Sequence, residues 1–310
     1  MLPKWKLFIT VLLAISITVV AIVINFYYPS SPKNLQLWTE NELEEKLEIW
    51  AYEYNINWIR SPETDLPQYR TFIRYYIYNS GDANATNVSI NVLVNNSIFI
   101  SDSIPLLRPY EQYSNTFNLT VNYDSVTQVS ISAHTINSSA NATLDIEAKL
   151  PRSLSELWGL ARLFITPNNR QVQNIVMKHS AFPNWLSLCN WVSDNIEYVD
   201  DSVHGQGDYW QLPSETLELK TGDCEDYAIL LCSLYRAAGY DAESAFVILG
   251  YSDKGGHAWV RIYAQVLGIG TWINIEPQIG GIFTIFYGLF DTTKYDDVYQ
   301  FNDVFFERLK

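Results

Sequence analysis

The segment Gly222-Asp223-Cys224-Glu225-Asp226-Tyr227-Ala228 sets a cysteine one position after a helix-capping residue. Asp223 is a good N-cap, and Asp226, three positions on, can return a bond to the backbone at the cap. Cys224 then falls in the first helical turn. A thiol there faces the positive end of the helix dipole, which lowers its pKa and favours the nucleophilic thiolate. Glu225 and Asp226 work against that charge, so the thiolate needs a cationic partner. His257, in Gly255-Gly256-His257-Ala258-Trp259-Val260, opens a strand after a flexible turn and supplies one. His257, Trp259, Arg261 and Tyr263 share one face of that strand. On the next strand Trp272, Asn274 and Glu276 share a face. A hairpin near Gly268-Ile269-Gly270 brings Glu276 within a few positions of His257. There it can hold the imidazole and stabilise its charged form, completing a nucleophile–base–orienter set.

Each assignment has an ordinary alternative. Cys224 can be a buried structural thiol, His257 a strand histidine, and Glu276 a surface or ion-pair residue. Asn274 competes with Glu276 as the third member. Cys232 lies eight residues along the helix from Cys224, too far to bond to it. Cys189 and Cys232 can pair as a disulfide or remain two buried thiols. The acids around Cys224 and the Asp200-Asp201 pair raise calcium as a ligand, but no Asp-rich loop of ligand spacing accompanies them. No metal and no other cofactor is expected.

Taken in order, Ser214-Glu215-Thr216-Leu217, the Cys224 block, Gly256-His257-Ala258-Trp259-Val260 and Trp272-Ile273-Asn274-Ile275-Glu276-Pro277 resemble the core of the transglutaminase-like superfamily, over roughly residues 180–280. The resemblance implies a papain-like α+β fold and a Cys-His-Asp triad, with Glu276 standing where Asp is usual. It also implies that Trp210 or Gln211, upstream of the nucleophile, can stabilise an oxyanion, with core packing the alternative for Trp210. The chemistry implied is acyl transfer through a thioester, resolved by water in a cysteine peptidase or amidase, or by an amine in a protein-crosslinking transglutaminase. Microbial members of the superfamily are more often hydrolases, which favours hydrolysis of a surface or cell-wall peptide. A non-catalytic cell-surface binding or assembly module is the third reading.

The elements that must position these residues can be traced along the chain. Asn184 to Ile196 carries a helical stripe, and Cys224 to Ala238 reads as a strong helix stopped by Gly239. Strands follow at Ser244–Leu249, His257–Val266 and Thr271–Glu276, an α+β order assigned to a domain over residues 151–310. The aromatic tail from Ile282 to Lys310 shows no readable period. Ahead of this domain, residues 66–150 hold short alternating strands at Thr71–Tyr78, Val88–Val94, Ser97–Ile100, Asn115–Val121, Val126–Ala133 and Leu144–Lys149. They predict an all-β sandwich resembling the immunoglobulin-like modules of cell-surface proteins. Residues 26–65 read as a linker and stalk helix, begun by Thr39 and Glu42 with Leu43, Leu47, Trp50 and Tyr54 at helical spacing.

Leu7 to Ile24 is an uncharged run of 18 apolar, Thr and Ser residues, preceded by Lys4 and Lys6. It predicts a transmembrane helix over residues 7–25 with residues 1–6 cytoplasmic and the rest extracytoplasmic, or else a cleaved signal peptide. Six Asn-x-Ser/Thr sequons, at Asn84, Asn87, Asn95, Asn118, Asn137 and Asn141, fit a glycosylated outer face. The 310 residues carry a formal charge of −14 with no basic stripe, which argues against nucleic acid as a partner. The expected partners are a peptide or protein substrate on the cell surface and the membrane itself.

Overall fold

The computed structural model describes residues 43–310 apart from 158, 180, 182–183, 202–206, 253–254, 267 and 281–295. The expected transmembrane segment, its cytoplasmic tail, the Thr39–Glu42 cap and much of the aromatic tail lie outside the described residues. Among the described residues, no helix is long and apolar enough to cross a membrane.

The first seven strands form two antiparallel sheets. One has the order β1 (Leu47–Arg60), β2 (Pro67–Asn79), β5 (Gln112–Asn122). The other runs β4 (Ser97–Leu107), β3 (Ala85–Val94), β6 (Val126–His134), β7 (Ser139–Glu147). Alternation along β2 places Ile73, Tyr75 and Ile77 inside, where they join Val88, Ile90, Val92, Val129 and Ile131 in one core. All six sequon asparagines are exposed.

The stalk helix is not formed over its apolar positions: Leu47, Trp50 and Tyr54 belong to β1. The segment is rich in aromatic and β-branched residues, and β2 needs a partner along its edge. Pairing runs from Leu47 opposite Asn79 to Arg60 opposite Pro67, with an irregularity between Tyr54 and Asn57. Trp50 lies directly across from Tyr76, and their rings stack at 5.5 Å. Such cross-strand pairs stabilise a sheet and outweigh a helical spacing that rests on only a few residues.

The second half contains α1 (Arg170–His179), α2 (Asn184–Asn195), α3 (Pro213–Leu219) and α4 (Cys224–Ala237). Its sheet has the order β12 (Ile269–Ile275), β11 (Gly255–Val266), β10 (Ala245–Ser252), β13 (Asp296–Phe301), β14 (Phe306–Arg308), antiparallel throughout. A two-residue parallel pair, β8 (Glu197–Tyr198) with β9 (Thr221–Gly222), precedes α4. Every residue of α4 from Asp226 to Tyr235 is buried. It packs on β10 and β11, against Val247, Leu249, Ala258, Val260 and Ile262. A helix apolar on all sides belongs in a core, which fixes where its N-terminus can emerge. The tail, unreadable as sequence, supplies β13 and β14.

Arg152 ties the two halves together. It is buried, with its guanidinium paired to Asp124 after β5 and doubly to Glu215 of α3, at 2.6 and 2.9 Å. It also donates to the Trp210 carbonyl at 3.1 Å and lies 5.0 Å over the Tyr209 ring. Removing the cation would leave two carboxylates facing each other. Arg152→Ala should therefore lower unfolding free energy by about 3 kcal/mol in denaturant titration, with Arg152→Lys recovering only part because the fork is lost. A variant as stable as the parent chain would show that the ion cluster does not join the halves.

Candidate active site

Gly222 has no room for a side chain. A Cβ there would stand 2.6 Å from Asp226 Cβ and 2.8 Å from Asp226 Oδ2. The bare backbone lets Asp226 fold back beneath the first turn of α4. One carboxylate oxygen accepts from the Asp223 N–H at 3.2 Å, and the other from the Gln211 N–H at 2.7 Å. Asp226 thus fastens the start of α4 to the strand-like segment that leads into α3. The capping pattern read from Asp223 and Asp226 is present, and its partner across the turn is Gln211.

Cys224 follows at the first position of α4, half-buried, and lines a cavity of about 360 Å³ with His257, Glu225, Trp210, Asp208 and Tyr299. His257 sits near the start of β11. Its Nε2 is 2.8 Å from Glu276 Oε2. Val260 pairs with Ile275, so Glu276 emerges just past the ladder on the face that carries His257. The competing Asn274 is engaged elsewhere: its Oδ1 accepts from Arg261 Nε at 2.8 Å, and the same guanidinium reaches Asp297 at 2.7 Å. The ring of His257 lies against Trp259 at 5.9 Å.

The electrostatics depart from the sequence expectation. The Cys224 thiol is pushed up rather than down, by burial first, then by the charge and hydrogen bond of Glu225 and the charge of Asp223. The thiol donates to Glu225 Oε2 at 3.0 Å. The Ala258 N–H, next to His257, is the contact that works the other way. The helix dipole is outweighed by burial together with the two acids Glu225 and Asp223. Burial pushes Glu225 up to about 7 and, together with Glu225, pushes Asp223 up to about 9. Burial also raises Asp226 well above the carboxylate range. Asp223, Cys224 and Glu225 bring their ligand atoms within 4.8 Å of one another. Two hard oxygens and a thiol in one turn form a donor set that the linear spacing did not reveal.

Of the two oxyanion candidates, Trp210 lines the Cys224 cavity. The Trp210 indole N–H is committed to Asp208 Oδ1 at 2.8 Å, while the ring stacks on Phe301 at 5.5 Å. Gln211 is buried and is not among the cavity-lining residues. No disulfide joins Cys189, Cys224 or Cys232, the first and last of which are buried. Sequence reasoning missed Asp208, which also accepts from the Leu154 N–H at 2.9 Å, and missed Glu225 as the thiol's acceptor. The only signal for Asp208 was its position two residues before Trp210.

Residues 172–277 match the family model of the transglutaminase-like superfamily. This segment is a transglutaminase-like core. Residues 56–147 match the CARDB family model, so the core is preceded by an all-β, CARDB-like domain. Among solved structures, calcium-bound LapG from Legionella pneumophila is 19% identical, over 51% of this chain and 88% of that one, with a TM-score of 0.36. The CARDB domain of the PF1109 protein from Pyrococcus furiosus, in complex with di-metal ions, is 15% identical over 38% of this chain and 98% of that one, with a TM-score of 0.25. No curated protein matches the chain.

The raised carboxyls of the transglutaminase-like core predict a pH dependence. Folded Glu225 and Asp223 hold protons up to about 7 and about 9, against ordinary values of 4.5 and 3.8. Between these limits the native state binds more protons than the unfolded chain, so stability falls as pH rises. The melting temperature should drop from pH 5 to pH 9, and Glu225→Gln should flatten the lower half of that drop. A Glu225→Gln profile parallel to the parent's would contradict it. Gly222→Ala should lower stability by about 1–3 kcal/mol, because the new methyl displaces Asp226 from two backbone N–H groups. Gly256→Ala, which meets nothing within 4 Å, serves as the thermal-denaturation control.

Proposed function

We propose that this protein is a thiol hydrolase that cleaves a peptide or amide bond through Cys224, His257 and Glu276. The observation that carries the reading is the 2.8 Å contact of His257 Nε2 with Glu276 Oε2, on a histidine that shares its cavity with Cys224. Glu276 fixes the ring and stabilises the imidazolium, and Nδ1 is left as the nitrogen that can serve the cavity. Glu performs here what Asp performs in the usual pattern, because it leaves the end of β12 where the longer side chain can reach back along the sheet.

In this reading His257 takes the Cys224 proton and the thiolate attacks the carbonyl carbon. The tetrahedral adduct collapses to a thioester as His257 returns the proton to the departing amine. Water, deprotonated by His257, then attacks the thioester, releasing the acid and restoring the thiol. Resolution by an amine would make the same residues a transglutaminase. We place the catalytic half outside the cytoplasm, held by the apolar run at residues 7–25. The six exposed sequon asparagines support that side of the membrane. One observation favours a non-catalytic surface module instead: burial, and then its acidic neighbours, raise the thiol.

Alkylation separates the two readings. Iodoacetamide near neutral pH should label Cys224 in preference to buried Cys189 and Cys232, with mass spectrometry locating the adduct. His257→Ala should slow labelling. Glu276→Gln should lower it on the order of 10²-fold and shift its pH profile, while Glu276→Asp should restore part of the rate. A Cys224 that reacts no faster than the buried thiols, and equally in all three variants, sinks the enzyme reading.

A further inference from the structure

A second cavity, of about 380 Å³, adjoins the one that holds Cys224 and His257. It is lined by Leu154, Ser155, Asp208, Tyr299 and Phe306, and it shares Leu154, Asp208 and Tyr299 with the first. Its wall is aromatic. Tyr299 and Phe306 stack at 5.8 Å with their planes 20° apart. Phe301 lies 6.4 Å from Phe306 and stacks in turn on Trp210 at 5.5 Å. The continuous line of rings runs from one cavity to the other. Asp208 is the only charged side chain of the second cavity's lining among the described residues, and both its oxygens are engaged, by Trp210 Nε1 and the Leu154 N–H. It pins the partition between the cavities and sets a negative charge at their junction.

Apart from Asp208, the residues that line this second cavity lie outside the matched transglutaminase-like segment. Leu154 and Ser155 precede it, and Tyr299 and Phe306 come from β13 and β14. Gly250 allows the approach of β13: a Cβ there would stand 2.2 Å from the Asp296 carbonyl oxygen. That close passage carries Val298 and Tyr299 to the rim of the Cys224 cavity. Cys224, His257 and Glu276 therefore lie within the matched core, and the apolar wall of the neighbouring cavity comes from the segments that flank it.

We propose that this apolar cavity is a substrate subsite, and that the protein selects peptides with a bulky aromatic or aliphatic side chain close to the bond attacked, and rejects acidic ones. The inference rests on the thiol-hydrolase reading and names the substrate class of that site. Continuity with the Cys224 cavity sets where the side chain belongs. The aromatic wall favours apolar bulk through burial, and the Asp208 carboxylate disfavours a second negative charge. Burying one large apolar side chain here should improve recognition by at least about tenfold over glycine.

The test uses the whole protein and protection of Cys224 from iodoacetamide, so it does not depend on which side of the bond the subsite serves. Blocked hexaglycine peptides carry one Phe, Leu or Asp at each position in turn. Phe or Leu at one position should lower the half-protecting concentration at least about tenfold relative to hexaglycine, and Asp there should not. Ser155→Trp, which fills the cavity from an exposed position without removing core, should erase the Phe advantage, each protein's protection being read against its own unprotected rate. Equal protection by Phe and Gly peptides while Cys224 still alkylates overturns the subsite and leaves the thiol reading standing, as does an unchanged Phe advantage in Ser155→Trp. A Cys224 that does not alkylate in the unprotected protein overturns both.

Discussion

The structure turns on an acidic helix start buried against a sheet. Helix α4 is apolar on every side and fills the centre of the transglutaminase-like core, so its first turn must open inside the protein rather than at its surface. That turn carries Asp223, Glu225 and Asp226. Carboxylates near a helix N-terminus are normally favourable, because the exposed N–H groups and the dipole attract negative charge. Three of them, desolvated together, exceed what one helix end can compensate. Protons stay on the acids to higher pH, and the thiol between them is held in its neutral form.

What makes such a turn tolerable is the division of labour among its acids. Asp226 is fully buried and spends both oxygens on backbone N–H groups, from Asp223 and Gln211. It therefore acts as a structural brace, and Gly222 exists to let it in. Glu225 turns towards the thiol and accepts a hydrogen bond from it at 3.0 Å. The opposing pull comes from the sheet, through the Ala258 N–H beside His257. The Cys224 sulfur therefore has Glu225 on its own turn as hydrogen-bond acceptor, with His257 lining the same cavity from the sheet. In the pairing of β11 with β12, Val260 opposite Ile275 fixes how far Glu276 stands from His257.

The fold was legible wherever a pattern was long or local. The alternation in Thr71–Tyr78 and the apolar run after Cys224 each emerged as elements, because period-two and fully apolar patterns report burial directly. Leu47–Arg60 misled because its aromatic residues satisfy a helical spacing by coincidence, and their strand preference is realised only against β2. The tail was opaque for a related reason. β13 and β14 are short strands added beyond β10, where Phe306 packs on Phe301 and Phe301 on Trp210, contacts that exist only once β10 is in place.

The sequence alone determined the identity and order of the proposed set: Cys224 after a capped Gly-Asp step, His257 at a strand start and Glu276 at the end of the next strand. These follow from local rules of capping and strand alternation, which need no distant partner. Only the tertiary structure decided how the set is tuned. It chose Glu276 over Asn274 by engaging Asn274 with Arg261. It committed the Trp210 indole to Asp208, drew Tyr299 and Phe306 from the tail to the rim, and raised the Cys224 thiol that its position in the helix alone would have lowered. Burial and charge–charge coupling depend on which groups share a small, dry volume, and that sharing is a property of the packed chain rather than of neighbouring residues.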